Sequence, residues 1–267
     1  MNTIRLFAIG GQPVTVNYLR LLNLACKGKE NYSPHIAVVA HAAKNPVEDG
    51  ALSAADFISL GARVTVLSPG SHKKLPNDID AIYMRGGVQT RLMDGLQADG
   101  LVSAIRRAAS QGILIAGNSA GTAALSDRMV AGGMSEETLI SCNQLEYADG
   151  LALLNKIILD THVDRYHRHT RLLALCAENP GRIVIGIDEG TAALFVDKGD
   201  GQWSLEVSGT NHVTIVNQGK SFWTNIQDSC QLNDGGKAIG SLEINILSAG
   251  NKASITKRGN QVSFHKQ

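Results

Sequence analysis

What this chain has little of narrows its possible roles. It has no excess of charge of either sign: 25 Lys and Arg stand against 24 Asp and Glu in 267 residues, for a formal charge of +1. Such a balance argues against a dedicated surface for nucleic acid or for an anionic membrane. Cysteine is limited to Cys26, Cys142, Cys176 and Cys230, scattered and without a C-x-x-C pair. That argues against a disulfide framework and a cysteine zinc site, and reads as reduced thiols of a cytoplasmic protein. No apolar run is long enough to span a bilayer. Ile4–Ile9 is too short for the apolar region of a signal peptide and reads as a first strand. Without a repeat, a low-complexity tract or a Pro/Ser linker, one domain over residues 1–267 is expected. Gly10-Gly11 lacks the following G-x-x-G spacing, so a dinucleotide cofactor is not indicated.

What is present is alternation. Apolar strands at Ile4–Ile9, His35–Ala40, Arg63–Leu67, Ile79–Met84 and Ile113–Ala116 are separated by helical patterns near Val14–Cys26, Leu52–Leu60, Gln89–Leu96 and Gly100–Ser110. This predicts an α/β fold with a mostly parallel sheet covered on both faces. Gly10-Gly11, Ala42, Gly86-Gly87 and Ser119 all follow strands, so they should share the carboxyl rim where such sheets bind ligands. Farther on, Ile157–Asp160 reads as a strand and Arg165–Glu178 as a helix. Ile183–Asp188 and Ala192–Val196 read as a strand pair joined through Glu189-Gly190. Short segments at Trp203–Val207, His212–Val216, Leu242–Leu247 and Val262–His265, separated by glycine turns, predict an antiparallel C-terminal extension.

The most informative stretch is Ile113-Leu-Ile-Ala-Gly-Asn-Ser-Ala-Gly-Thr-Ala-Ala-Leu125. An apolar strand, a tight G-x-S-x-G turn and an Ala-rich helix follow one another at once, which is the context of a nucleophile elbow. The turn lifts the Ser119 hydroxyl out of the sheet, and the Ala120 amide could hold an oxyanion. The plainer alternative is a serine that caps a helix in a glycine-rich turn.

A nucleophilic serine needs a base, and the base needs an orienting acid. His162 is the best base, because Asp160-Thr-His162 falls at a strand end, where an extended chain would point residues 160 and 162 the same way. His162, His167 and His169 lack the i,i+4 spacing of a zinc pair, so no metal is expected. Glu189 is the best acid, with Asp188 or Asp160 as alternatives; a hairpin turn explains Asp188-Glu189-Gly190 about as well. After the fourth strand, Gly86-Gly87 allows close backbone approach, so the Gly87 amide could be a second oxyanion donor and Gln89 could bond a substrate amide or carboxylate. Arg168 and Arg171, i,i+3 on one helix, would suit a carboxylate-bearing substrate, unless they are simply a solvated face.

Four blocks in order, Gly86-Gly-Val-Gln-Thr-Arg-Leu92, Gly117-Asn-Ser-Ala-Gly-Thr122, Asp160-Thr-His-Val-Asp-Arg-Tyr-His-Arg-His-Thr-Arg-Leu172 and Gly186-Ile-Asp-Glu-Gly-Thr-Ala192, resemble the cyanophycinase family, peptidase family S51, over nearly the whole chain. The resemblance implies a three-layer flavodoxin-like or class I glutamine-amidotransferase-like sandwich, a homodimer, and a cofactor-free serine exopeptidase for β-linked aspartyl bonds. It implies Ser119 as nucleophile, His162 as base, Glu189 as acid, and Gln89, Asp160, Arg168 and Arg171 as residues that hold a small peptide or cyanophycin-like substrate. Departures occur at Asn118, Thr161, Val88 and Tyr166, where such enzymes typically carry Thr, Gln, Asp and Arg. The chemistry is therefore better supported than the polymer as substrate. Two rivals remain. An α/β-hydrolase esterase would use Ser119, Asp188 and His212, although no HGGG-like loop precedes the elbow. An inactive relative would bind an acidic ligand or a partner.

Overall fold

Segments such as His35-Ile-Ala-Val-Val39 and Ile183-Val-Ile-Gly-Ile187 are buried at every residue, so they fold as strands covered on both faces. The computed structural model describes residues 2–71, 74–133, 145–224, 239–256 and, for the backbone, 261–265. Among the described residues there are three sheets, and the first has nine strands. Its parallel part contains β1 (Arg5–Ile9), β2 (His35–Val39), β3 (Arg63–Leu67), β4 (Ala81–Met84) and β5 (Leu114–Asn118), in the order β1-β5-β4-β2-β3. A two-stranded ribbon follows, β6 (Arg128–Gly133) with β7 (Leu145–Asp149). A four-stranded sheet holds β8 (Ile157–Thr161), β9 (Ile183–Ile187), β12 (His212–Thr224) and β13 (Ile239–Ser248); β8 and β9 run parallel. The nine-stranded sheet continues antiparallel from β1 through β10 (Thr191–Gly199), β11 (Gln202–Gly209), β14 (Lys252–Thr256) and β15 (Gln261–His265).

Strand alternation sorts side chains to two faces. From β1, Phe7 and Ile9 meet Leu21 and Leu22 of α1 (Thr15–Cys26) and Phe57 of α2 (Pro46–Ser59). Leu6 and Ala8 face the other way, into a cluster with α3 (Gln89–Ala98), α4 (Leu101–Ser110) and α5 (Ala120–Ala123). The same cluster takes in Leu159, Ile185 and Ile187 of the four-stranded sheet, so one buried core joins the two sheets. The outer face of the second sheet is covered by α6 (His169–Glu178) through Leu172 and Leu175. The architecture is thus α/β, a large sheet with a parallel centre and helices over both faces.

Four details differ from the sequence reading. The strands expected as a pair across Glu189-Gly190 belong to different sheets: β9 bonds β8 and β12, whereas β10 bonds β1 and β11. Apolar strands buried on both faces carry no mark of their partner, so a short gap looked like a hairpin. The helix expected from Arg165 starts at His169; His167, at φ 49°, interrupts it, and the preceding residues form hydrogen-bonded turns. The helix expected from Leu52 starts at Pro46, whose fixed φ and the following Glu48 and Asp49 suit a first turn. The β6–β7 ribbon, β14 and the separation of a second sheet have no counterpart in the sequence pattern above. Cys26 and Cys176 are unpaired thiols, and burial pushes Cys176 up to about 12. Cys142 and Cys230 lie outside the described residues.

Candidate active site

The elbow is built by small residues. Between β5 and α5 the chain reverses at Ser119, with φ 51° and ψ −109°, a strained value for a residue with a side chain. A Cβ on Gly117 would lie 2.3 Å from the Gly121 carbonyl, and one on Gly121 would lie 2.2 Å from the Met84 oxygen. Only glycine therefore lets helix, turn and strand come this close. Beneath the turn, Thr122 Oγ1 accepts the Ile9 N–H at 2.9 Å and lies 2.7 Å from the carbonyl oxygens of Ile9 and Gly117. That hydroxyl ties β1 to β5.

The imidazole comes from the other sheet. Past the end of β8, His162 has φ 55°, and its N–H donates to the Gly10 carbonyl at 2.7 Å. The extended geometry expected for residues 160 to 162 is therefore broken at His162. Its Nε2 lies 2.8 Å from Ser119 Oγ and its Nδ1 lies 2.6 Å from Glu189 Oε1. The imidazole and the carboxylate are 17% and 21% exposed, so the chain of contacts is screened but reachable. Room for the ring is made by Gly11, where a Cβ would stand 2.1 Å from His162 Cε1.

Glu189 sits where the chain crosses from β9 to β10. Its N–H donates to Asp164 Oδ1 at 2.9 Å, while Asn211 Nδ2 donates to Asp164 Oδ2 at 3.0 Å and to the Glu189 carbonyl at 3.2 Å. Asp188, the alternative acid, points elsewhere, accepting the N–H groups of Asp164 and His212. Burial holds its carboxyl above the usual carboxylate range. His212 is 3.6 Å from Asp188 and half exposed, so the imidazole at Ser119 is that of His162.

Beside Ser119 lies a cavity of about 260 Å³ lined also by Gly87, Ala120 and Tyr166. The Gly87 and Ala120 N–H groups donate to no acceptor among the described residues. Gly87 is held by the next residue, since Val88 N–H donates to the Ala42 carbonyl at 2.9 Å. With φ 148° and Ala42 oxygen 2.1 Å from where a Cβ would be, position 87 has no room for a side chain. The glycine loops and the serine thus share one rim.

The polar wall pairs with itself. Asp160 takes two hydrogen bonds from Arg171, one of them Nε to Oδ2 at 2.7 Å. Arg168 Nη1 donates to the Thr161 carbonyl at 2.7 Å and stands 3.7 Å from Asp160. Arg168 Nε is buried without a partner among the described residues. Burial lowers the Arg168 pKa from its usual value, but a guanidinium stays charged, so two cations face one carboxylate. Gln89 Nε2 donates to the Val130 and Ala131 carbonyls, at 2.8 and 3.0 Å. A bulge between Val130 and Gly132 lets both oxygens face it. The nitrogen of Gln89 therefore secures the ribbon that walls the cavity. Asp164, Asn211 and the ribbon carried no recognisable sequence signal, whereas the Gly10-Gly11 pair was visible but its purpose was not.

With serine, imidazole and carboxylate in series beside two free amides, the arrangement can perform acyl transfer. The sequence model described as Peptidase family S51 matches residues 37–202. A cyanophycinase from Trichormus variabilis is 30% identical over 242 residues, covering 87% of this chain and 79% of that protein. One from Geminocystis herdmanii is 34% identical over 202 residues, covering 71% and 72%. The fold is shared with a peptidase from an acI-B1 Actinobacterium, at TM-score 0.65 and 20% identity over 94% of this chain and 97% of that one. It is also shared with a putative peptidase E protein from Listeria monocytogenes, at TM-score 0.54 and 17% identity over 78% and 100%.

Proposed function

Because the chain belongs to peptidase family S51 and is a serine peptidase, we propose that it hydrolyses β-aspartyl (isoaspartyl) peptide bonds as an exopeptidase, using Ser119, His162 and Glu189. The observation that carries this reading is the continuous hydrogen-bonded series Ser119–His162–Glu189, at 2.8 and 2.6 Å. Supporting it are relatives named cyanophycinase and a small cavity whose wall has a surplus of positive charge. A substrate carboxylate would meet that surplus at the Arg168 and Arg171 wall of the cavity.

In this mechanism Ser119 Oγ attacks the side-chain carbonyl of the aspartyl residue and gives its proton to His162 Nε2. Glu189 holds the imidazole through Nδ1 and balances the imidazolium that forms. The Gly87 and Ala120 amides stabilise the oxyanion. As the C–N bond breaks, His162 passes its proton to the leaving amine. Water activated by the same imidazole then hydrolyses the ester. A cavity of about 260 Å³ suits a short peptide better than a folded chain.

The test offers cyanophycin and a panel of isoaspartyl dipeptides to the protein and to Ser119→Ala. Hydrolysis by the wild type and a loss of roughly 10³-fold or more in the variant are expected. If the wild type cleaves none of the isoaspartyl peptides, or if Ser119→Ala keeps near-normal turnover, the reading is wrong.

A further inference from the structure

Among the cavity residues with no part in the chemistry above is one large aromatic side chain. Tyr166 lies at the mouth and is 46% exposed, the most open large side chain of the lining. Its position is set from the base itself, because Tyr166 N–H donates to the His162 carbonyl at 3.1 Å. The phenol ring lies 5.5 Å from the imidazole, tilted by 53°. The Arg168 guanidinium lies 4.7 Å from the ring centre.

The direction of departure follows from the proton's path. His162 Nε2 gives its proton to the amine as the C–N bond breaks, so the leaving residue is released beside the imidazole. Tyr166 is the aromatic ring against that imidazole, and its open part faces the mouth. Among the described residues, the ionisable groups that line this cavity besides Tyr166 are Asp160, His162, Arg168 and Arg171, and Asp160 is already bonded to arginine. A leaving arginine could stack on a tyrosine face. Here that ring already carries a guanidinium, and a second cation would meet both Arg168 and the uncompensated positive wall. An apolar or aromatic side chain gains the ring contact without that repulsion.

We infer that Tyr166 forms the leaving-group subsite and selects β-aspartyl dipeptides whose second residue is apolar or aromatic over those whose second residue is arginine. The inference rests on the isoaspartyl reading and deepens it. Tyr166 acts on specificity and takes no part in bond breaking.

The experiment measures kcat/KM of the full chain on β-aspartyl-phenylalanine, β-aspartyl-leucine and β-aspartyl-arginine, with Tyr166→Ala and Tyr166→Phe alongside. The wild type should favour the phenylalanine peptide over the arginine peptide by about tenfold or more. Tyr166→Ala should erase most of that preference by losing rate on phenylalanine, while Tyr166→Phe should keep it. An arginine peptide cleaved as well as the others by the wild type would overturn the inference, and this ranking needs no variant to fold. Equal losses on all three peptides in Tyr166→Ala would overturn it too. If no isoaspartyl peptide is cleaved, the parent reading falls and takes this one with it. If all are cleaved in the wrong order, the parent reading stands and only the subsite is lost.

Discussion

The absence of a single carbon decides whether the imidazole can sit where it does. Gly11 leaves open the volume that His162 occupies, and its φ of 122° is one that side chains avoid. Gly11→Ala should therefore displace the imidazole from Ser119 and lower kcat by about 10²-fold or more, given what a shift of about 1 Å costs in reach. Single-turnover kinetics with an activated ester would check it, with circular dichroism to confirm that the fold persists. Retention of wild-type rates would show that the ring does not need this place. At this scale the sequence was informative where sterics are local. Gly117 and Gly121 announce the elbow because a strand, turn and helix so close admit no Cβ. The same reasoning could not reach Gly11, whose obstacle is a side chain 151 positions further on. Nor could it foresee the left-handed backbone of His162, which depends on a bond to Gly10.

Two loops that are distant in sequence must stay in step for the carboxylate to face the imidazole. One leaves β8 and carries His162 and Asp164; the other links β9 to β10 and carries Glu189. Asp164 accepts the Glu189 N–H, and Asn211, just ahead of β12, bonds both loops. Asn211→Ala should lower kcat by about tenfold with little change in KM, because it loosens the acid without touching the cavity wall. Asp164→Ala, which removes the acceptor for Glu189 N–H as well, should lower it further. Steady-state kinetics on whichever peptide the wild type prefers would test both, and a rise in KM at constant kcat would contradict this assignment. None of this was legible beforehand, since 183–196 read as a hairpin. The apolar pattern reveals that β9 and β10 are strands buried on both faces; the pairing that separates them depends on contacts with β1, β8, β11 and β12. Yet Glu189 stands out in the sequence as a strand-end acid, and the structure sets it 2.6 Å from His162 Nδ1, because its place at a rim does not depend on which sheet follows.

Across the whole molecule, the proposed reacting groups are shared between two sheets: Ser119 follows a strand of the first, His162 one of the second, and Glu189 lies on the crossover. Their common apolar core holds one sheet against the other. At the far ends of β8 and β9 a polar staple does similar work. Asp127, just ahead of β6, accepts Arg182 Nη1 at 2.6 Å and the N–H groups of Arg128 and Lys156 at 3.0 and 3.3 Å. Burial alone would raise its pKa, but the Arg182 hydrogen bond and charge and the two backbone donors outweigh that, and the native value lies below the ordinary one. A carboxyl lowered in this way adds stability above its unfolded pKa of about 3.9, and that stability is lost as pH falls through the native value. Asp188 has the opposite sign, because burial raises it; its contribution is present below the unfolded pKa and disappears as pH rises through the native one. Asp127→Asn should therefore lower Tm at pH 7 by about 2–6 °C, for a loss of about 1–2 kcal/mol in a chain of this size. The gap from the wild type should narrow as pH falls through the acid range and close once Asp127 is protonated in both native and unfolded states. The staple lies at the end of the strands opposite Ser119, so kcat at 25 °C should stay within about twofold of the wild type. Melting curves taken from pH 7 downwards separate the two possibilities: a gap that stays constant with pH would mean that Asp127 acts through its shape and not its charge.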